Sequence, residues 1–266
     1  MMVWGLASLG LVILLLAGDA LVKGAVNLSL RVGIPALIVS LTIVAFGTSA
    51  PELLIGISAV MEGKPGLALG NVVGSNTANI LLVLGIPAIL SVLHTSQCDT
   101  RKTYVFMLVA TLLFIGLAFF GVFNWMSGVI LLAALAYVLG DAFRDAHRHR
   151  KASNAAAAAE DVEALEGADP DMPWWQILLF LALGLVGLPL GADILVDNAS
   201  IIATQYGVSD SVIGLTLVAV GTSLPELATT VMAALRKQAD VALGNVIGSN
   251  MFNLLAIIGI TTMVGP

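Results

Sequence analysis

Apolar residues in this chain come in long unbroken runs, separated by short polar clusters, rather than alternating with polar ones. Eight runs are long enough to cross a hydrocarbon core of about 30 Å. They lie near residues 3–22, 34–61, 67–93, 103–121, 123–143, 173–196, 210–235 and 241–263. Each predicts a transmembrane helix. The first run has neither a basic leader nor a cleavage site, so it reads as a retained span and not a signal peptide. Trp4, Trp125, Trp174 and Trp175 fall near predicted ends, at the headgroup depth that indole rings prefer.

Composition agrees with the pattern. Of 266 residues, 59% are hydrophobic and only 11% charged, with a mean hydropathy of +1.02, where a soluble domain carries about 25% charge. No water-soluble fold hides that much apolar surface, and the chain is a multi-pass protein of the lipid bilayer. The net charge of −6 says little about partners, because seven of the 17 acids sit in residues 144–172. No basic field is present, which excludes a nucleic-acid binder. The single cysteine, Cys98, excludes an intrachain disulfide framework and a multi-cysteine metal cluster.

The basic residues set an orientation. The first, third, fifth and seventh connections carry Lys23, Arg31, Arg101, Lys102, Arg144, Arg148, Arg150, Lys151, Arg236 and Lys237, against Lys64 alone on the other side. Basic residues favour the cytoplasmic face, so the N-terminus is expected outside and the 144–172 connection inside, in the cell (cytoplasmic or inner) membrane. That connection runs from basic through polyalanine to acidic and reads as a partly helical linker, with His147 and His149 part of its basic cluster. The chain thus divides into a first half at 1–143 with spans one to five, a linker at 144–172, and a second half at 173–266 with spans six to eight.

Self-similarity carries more information than any single motif. GTSAPEL at 47–53 returns as GTSLPEL at 221–227, and ALGNVVGSN at 68–76 returns as ALGNVIGSN at 242–250. Both pairs share an offset of 174 residues, as do Asp19 with Asp193, Gly33 with Gly207, Asn79 with Asn253 and Gly85 with Gly259. Convergence of packing motifs explains matched glycines; it does not explain matched Pro-Glu pairs and Asn-rich strings. The two copies begin five spans apart, an odd number, so they run in opposite directions through the membrane. Inverted repeats of this kind build secondary transporters with a site near the midplane.

Glu52 and Glu226 lie deep in apolar segments, where an unpaired carboxylate is expensive. No Lys or Arg lies in the middle of a predicted span, so each carboxylate must be neutralised by a proton or a cation from solution. Pro51 and Pro225 lack an N–H and free carbonyls about one turn earlier, near Gly47 and Gly221. Thr48 and Ser49 precede Glu52 by four and three residues, and Thr222 and Ser223 precede Glu226 likewise, on one helix face. On the following segments Asn71, Ser75 and Asn79 form a stripe echoed by Asn245, Ser249 and Asn253. Carboxylates, hydroxyls, amide oxygens and carbonyls, with no thiolate or imidazole, suit hard cations such as Ca²⁺ and Na⁺.

The doubled GTSxPEL and GNVxGSN strings resemble the alpha-repeats of the cation/calcium exchanger superfamily, above all its prokaryotic sodium/calcium exchangers, from about residue 10 to 265. The resemblance implies an all-α membrane protein with an inverted-repeat transporter fold. Ten helices are expected and about eight are present here, because the family pattern continues for two more after the eighth. It implies a core of the second, third, seventh and eighth helices, with the first and sixth sliding across it. Residue by residue it implies Glu52 and Glu226 as calcium ligands, carbonyls from Thr48 and Thr222, and hydroxyls from Ser49 and Ser223. Ser75, Ser249, Asn79 and Asn253 would complete the sodium or central sites, and Ala45 and Ala219 would offer carbonyls to outer sodium sites. Asn253 is neutral where potassium-dependent relatives tend to carry an acid, which favours potassium independence. Asp19 and Asp193 read as helix-end anchors, and Asp141 and Asp197 as interfacial charges.

The expected function is secondary antiport of Ca²⁺ against Na⁺, with these ions as transported partners, no cofactor, no evident obligate protein partner and no enzymatic activity. Coupling to H⁺ stays open, since a buried carboxylate can carry a proton, although the Ser and Asn oxygens exceed what a proton carrier needs. A channel fits less well with a twofold cluster of ion-sized ligands, and an intramembrane hydrolase would need an HExxH motif or a Ser–His pair that the spans lack.

Overall fold

A computed structural model of the chain describes residues 2–92, 100–153, 168–209, 213 and 219–265. The described elements are helices. In chain order they are α1 (Met2–Val32), α2 (Ala36–Thr48), α3 (Ala50–Met61), α4 (Pro65–Leu90), α5 (Arg101–Phe119), α6 (Trp125–Ser153), α7 (Trp174–Gln205), α8 (Leu224–Leu235) and α9 (Ala239–Val264). Helices α2 and α3 form one span bent by 43°. Most of the first half of the predicted seventh span, linker residues 154–167 with the polyalanine stretch, and Cys98 lie outside the described residues.

Three helices run further than the hydrophobic pattern predicts. Helix α1 continues past residue 22 to Val32, and α7 past residue 196 to Gln205. Lys23 and Arg31 therefore stand on α1, not in a connection. They are tolerated there because their heads reach aromatic faces on α7: Lys23 Nζ lies 4.7 Å from the Phe180 ring centre and the Arg31 guanidinium 6.0 Å from that of Trp174. The helices end where a residue must take a left-handed backbone, at Gly33 (φ +73°) and its repeat counterpart Gly207 (φ +81°). The N–H groups of Ile34 and Val208 then reach back to the carbonyls of Ser29 and Ala203, at 3.0 and 3.1 Å, closing both helices identically. Helix α6 likewise continues through residue 144 to Ser153.

Helices α1 and α7 pack antiparallel along their length. Small residues allow it: a Cβ at Gly184 would stand 2.4 Å from the Leu21 Cβ, and one at Gly191 2.8 Å from the Leu14 nitrogen. Backbone-close packing of this kind holds membrane helices together where lipid removes the hydrophobic drive. The same device seats α9 on α2, with Gly244 against the Leu37 carbonyl and Gly248 against that of Leu41. The Ser40 hydroxyl adds a 2.6 Å bond to the Val241 carbonyl. Helix α1 crosses α8 where Gly18 meets the Ala228 backbone. Below that contact Asp19 pairs with Arg236 at 2.5 Å. Asp19 thus lies within α1 as a cross-helix partner, not at a helix end; its counterpart Asp193 is exposed. Lys102 on α5 bridges Asp141 and Asp145 on α6.

Helix α9 is buried on every side, covered by Met107 and Ala110 of α5, Leu131 of α6 and Phe123 in the connection between those helices. Its counterpart α4 keeps one face exposed. Leu81 is 67% exposed where the matching Leu255 is 0%.

Candidate functional site

The site forms where each bent span breaks. Helix α2 stops at Thr48, and α3 restarts at Ala50 with Pro51 in its first turn and Glu52 next to it. Ser49 bridges the break at φ −86° and ψ 3°. The second repeat does the same: the short turn Ala219–Gly221 is followed by Thr222, and Ser223, at φ −91° and ψ 4°, precedes α8 with Pro225 and Glu226 in its first turn. Proline is accommodated at the first turn because it costs no hydrogen bond there. Each carboxylate consequently sits at the positive end of a half-helix.

Both carboxylates are fully buried, at 0% exposure, within electrostatic reach of each other. The repeats interlock around them. Ser49 of the first repeat donates its hydroxyl hydrogen to Glu226 Oε1 of the second at 3.1 Å. The Thr48 hydroxyl lies 3.3 Å from Asn245 Oδ1 and 3.4 Å from Ser249 Oγ. Behind the carboxylates, Asn71 donates to the Glu52 carbonyl at 3.4 Å and Asn245 to the Glu226 carbonyl at 3.3 Å, the same contact made twice. Asn245 also donates to the Thr230 hydroxyl at 3.0 Å. The Ala45 carbonyl already accepts the Ser49 N–H at 3.1 Å.

On α4 and α9 the backbone widens into a π-helical stretch beside the site asparagines, at Asn79–Val83 and Phe252–Ile257. Such bulges re-aim side chains and cluster at functional sites. Ser75, Ser249, Asn79 and Asn253 are all buried here.

What distinguishes the site is a set of oxygens without a hydrogen-bond partner among the described residues. They are Glu52 Oε1 and Oε2, Glu226 Oε2, Ser75 Oγ, Ser223 Oγ, Asn79 Oδ1 and Asn253 Oδ1. A buried polar atom left unpaired costs about 1–3 kcal/mol, and these atoms share two carboxylate charges. A desolvated cation would satisfy them together, and their chemistry is that of a hard-cation site.

Sequence reasoning passed over Asn76 and Asn250. Asn253 donates to Asn76 Oδ1 at 3.0 Å and Asn79 to Asn250 Oδ1 at 3.1 Å. Both residues end the doubled GNVxGSN string, so the signal was present; they stand one position off the Asn71–Ser75–Asn79 stripe and its repeat.

Comparison with known proteins places this geometry. The sequence model of the family described as "Sodium/calcium exchanger protein" matches residues 2–140 and 176–266. CaxA of Alkalimonas amylolytica, a candidate antiporter, is 36% identical over 263 residues, covering 97% of this chain and 79% of its own. The sodium/calcium exchanger MaX1 of Methanosarcina acetivorans is 33% identical over 291 residues, covering 97% of this chain and 82% of its own. A solved structure of the sodium-calcium exchanger NCX_Mj superposes with a TM-score of 0.80 at 32% identity, over 100% of this chain and 83% of that one. With two inverted repeats whose Pro-Glu breaks meet in one buried cluster of oxygens, the chain belongs to the sodium/calcium exchanger family.

Proposed function

We propose that the protein is a secondary antiporter that exchanges Ca²⁺ for Na⁺ by alternating access, with calcium held between Glu52 and Glu226. The observation that carries this reading is the cluster of unpartnered buried oxygens around two carboxylates contributed by opposite repeats. Two carboxylates balance one Ca²⁺. Calcium fills the rest of its shell from the neutral oxygens of Ser75, Ser223, Ser249, Asn79 and Asn253, and sodium ions, with one charge each, need the same oxygens in greater number per charge. One cluster cannot serve both ions at once, so loading of either drives release of the other. Each ion shifts the equilibrium between inward- and outward-open states only through its differential affinity for them. In this reading Thr48 and Thr222 give carbonyls and Ser49 a hydroxyl to the calcium site, and Ala45 and Ala219 give carbonyls to outer sodium sites.

The test is radioactive calcium uptake into proteoliposomes loaded with sodium and diluted into sodium-free or sodium-containing buffer. Uptake should require the outward sodium gradient, persist without potassium, and fall on the order of a hundredfold or more in Glu226→Gln, which removes half of the charge that holds the cation. Uptake that follows a proton gradient and ignores sodium would move the protein to H⁺-coupled exchange.

The same reading places the protein in the cell membrane with its N-terminus outside, because ten of the eleven basic residues fall on one side of the topology that the hydrophobic pattern predicts. Cys98, the single cysteine, belongs to the third connection and should face the cytoplasm. An impermeant maleimide added to intact cells should leave it unlabelled and should label it once the cells are opened. Labelling of intact cells would reverse the topology.

A further inference from the structure

We propose that Asn76 and Asn250 are positioning residues: each accepts the amide N–H of the other repeat's site asparagine and so turns that residue's Oδ1 toward the cation. The inference deepens the antiporter reading and rests on it. The amide of asparagine has an oxygen end and a nitrogen end of almost equal size, and only the oxygen can ligate a metal. An amide free to turn over would present its N–H groups to the cation as readily as its oxygen. A carboxylate has no such problem, since both of its ends are oxygens.

Position 79 and its counterpart 253 are both asparagine, so this protein must solve the orientation problem twice. Asn253 Nδ2 donates to Asn76 Oδ1 at 3.0 Å, and Asn79 Nδ2 donates to Asn250 Oδ1 at 3.1 Å. Residues 76 and 250 are themselves repeat counterparts. One contact is therefore made twice about the pseudo-twofold axis, and each time the chain crosses from one repeat to the other. In both cases the Oδ1 of the site asparagine is left buried without a partner.

The positioning residues are held in turn. Asn76 Nδ2 donates to the Asn250 backbone carbonyl at 3.3 Å. Asn250 Nδ2 points to the sulfur of Met107 at 3.7 Å. With their nitrogens engaged elsewhere, both present only oxygen to their partners. The polarity of the network is thereby fixed from the periphery inward: nitrogen out, oxygen toward the ion.

The test is a double-mutant cycle read by equilibrium binding of radioactive calcium to the purified, folded protein and by sodium-driven uptake. Asn76→Leu should weaken calcium binding and raise the KM for calcium about tenfold, with the maximal rate changed far less. Asn76→Asp keeps an acceptor for Asn253 and should bind calcium within about threefold of the parent or tighter. In an Asn253→Asp background the residue to be oriented has two oxygens, so Asn76→Leu should cost about twofold or less. Equal losses in both backgrounds, or no loss in the parent, would overturn the proposal and leave Asn76 a packing residue. The mirrored cycle of Asn250→Leu with Asn79→Asp decides the matter if Asn253→Asp does not fold. Calcium binding without sodium-driven uptake in the parent would sink the antiporter reading while the binding cycle still judged the amides; a folded parent that binds no calcium would end both.

Discussion

Glu52 and Glu226 occupy matching positions, yet the protein treats them differently. Ser49 donates to Glu226, whereas the matching hydroxyl of Ser223 has no hydrogen-bond partner among the described residues and Glu52 keeps both oxygens unpaired. Without a cation, Glu52 must either hold a charge close to Glu226 or take up a proton, with both of its buried oxygens unpaired in either case, an arrangement that costs several kcal/mol. Glu52→Gln should accordingly raise the melting temperature of the cation-free protein, while abolishing the further rise that calcium gives the parent. A saturating ligand at about a hundred times its Kd adds about 2.7 kcal/mol to stability, so thermal unfolding in detergent with and without calcium reads both effects. A lower melting temperature for cation-free Glu52→Gln would mean that the carboxylate makes a stabilising bond of its own. The two glutamates were legible in the sequence because a carboxylate in an apolar run with no basic neighbour has few explanations, and because it occurs twice. The direction of the Ser49 bond, and the pairing of Asn76 with Asn253, were not. They depend on which side chains meet across the repeat interface, and one residue of helical register decides that.

At the scale of elements, the doubled Pro-Glu strings pointed to freed carbonyls about a turn before each proline, and the structure breaks both helices there, with proline in the first turn of the segment that follows. The ends of α1 and α7 were misplaced by the hydrophobic pattern, since charged residues normally mark the edge of a span. Here Lys23 and Arg31 remain on the helix because α7 offers them aromatic faces, and the matched glycines at 33 and 207 mark the true ends. The contact between α1 and α8 puts one of these junctions to the test. A Cβ at Gly18 would stand 3.0 Å from the Ala228 carbonyl oxygen, which is backbone and cannot step aside, whereas one at Gly5 would meet nothing within 4 Å. Gly18→Val should therefore destabilise the protein by about 1–3 kcal/mol and reduce sodium-driven calcium uptake, while Gly5→Val leaves both unchanged. Parallel melting curves and uptake assays check the pair. Equal behaviour of the two variants would show that α1 does not bear on α8 in the membrane.

The whole molecule obeys its pseudo-twofold axis at the site and departs from it in the surroundings. Sequence alone exposed the symmetry, because a constant offset of 174 residues spans both motifs. It could not expose the departure, because α4 and α9 carry nearly the same string and differ in what lies over them. Helices α5 and α6 bury Leu254 and Leu255 on α9; the matching Ile80 and Leu81 on α4 stay exposed among the described residues. The two halves of the site are thus supported unequally, one by close-packed protein and the other by whatever contacts α4 from outside. Equivalent truncations should reveal the difference. Leu255→Ala removes side-chain atoms from a packed interior and should cost about 2–4 kcal/mol. Leu81→Ala removes atoms that touch little protein and should cost less than about 1 kcal/mol. The two variants, unfolded side by side in the same detergent, give this difference directly. A Leu81→Ala cost as large as that of Leu255→Ala would mean that the exposed face of α4 is covered in the assembled protein, and that the second half of the site is as firmly backed as the first.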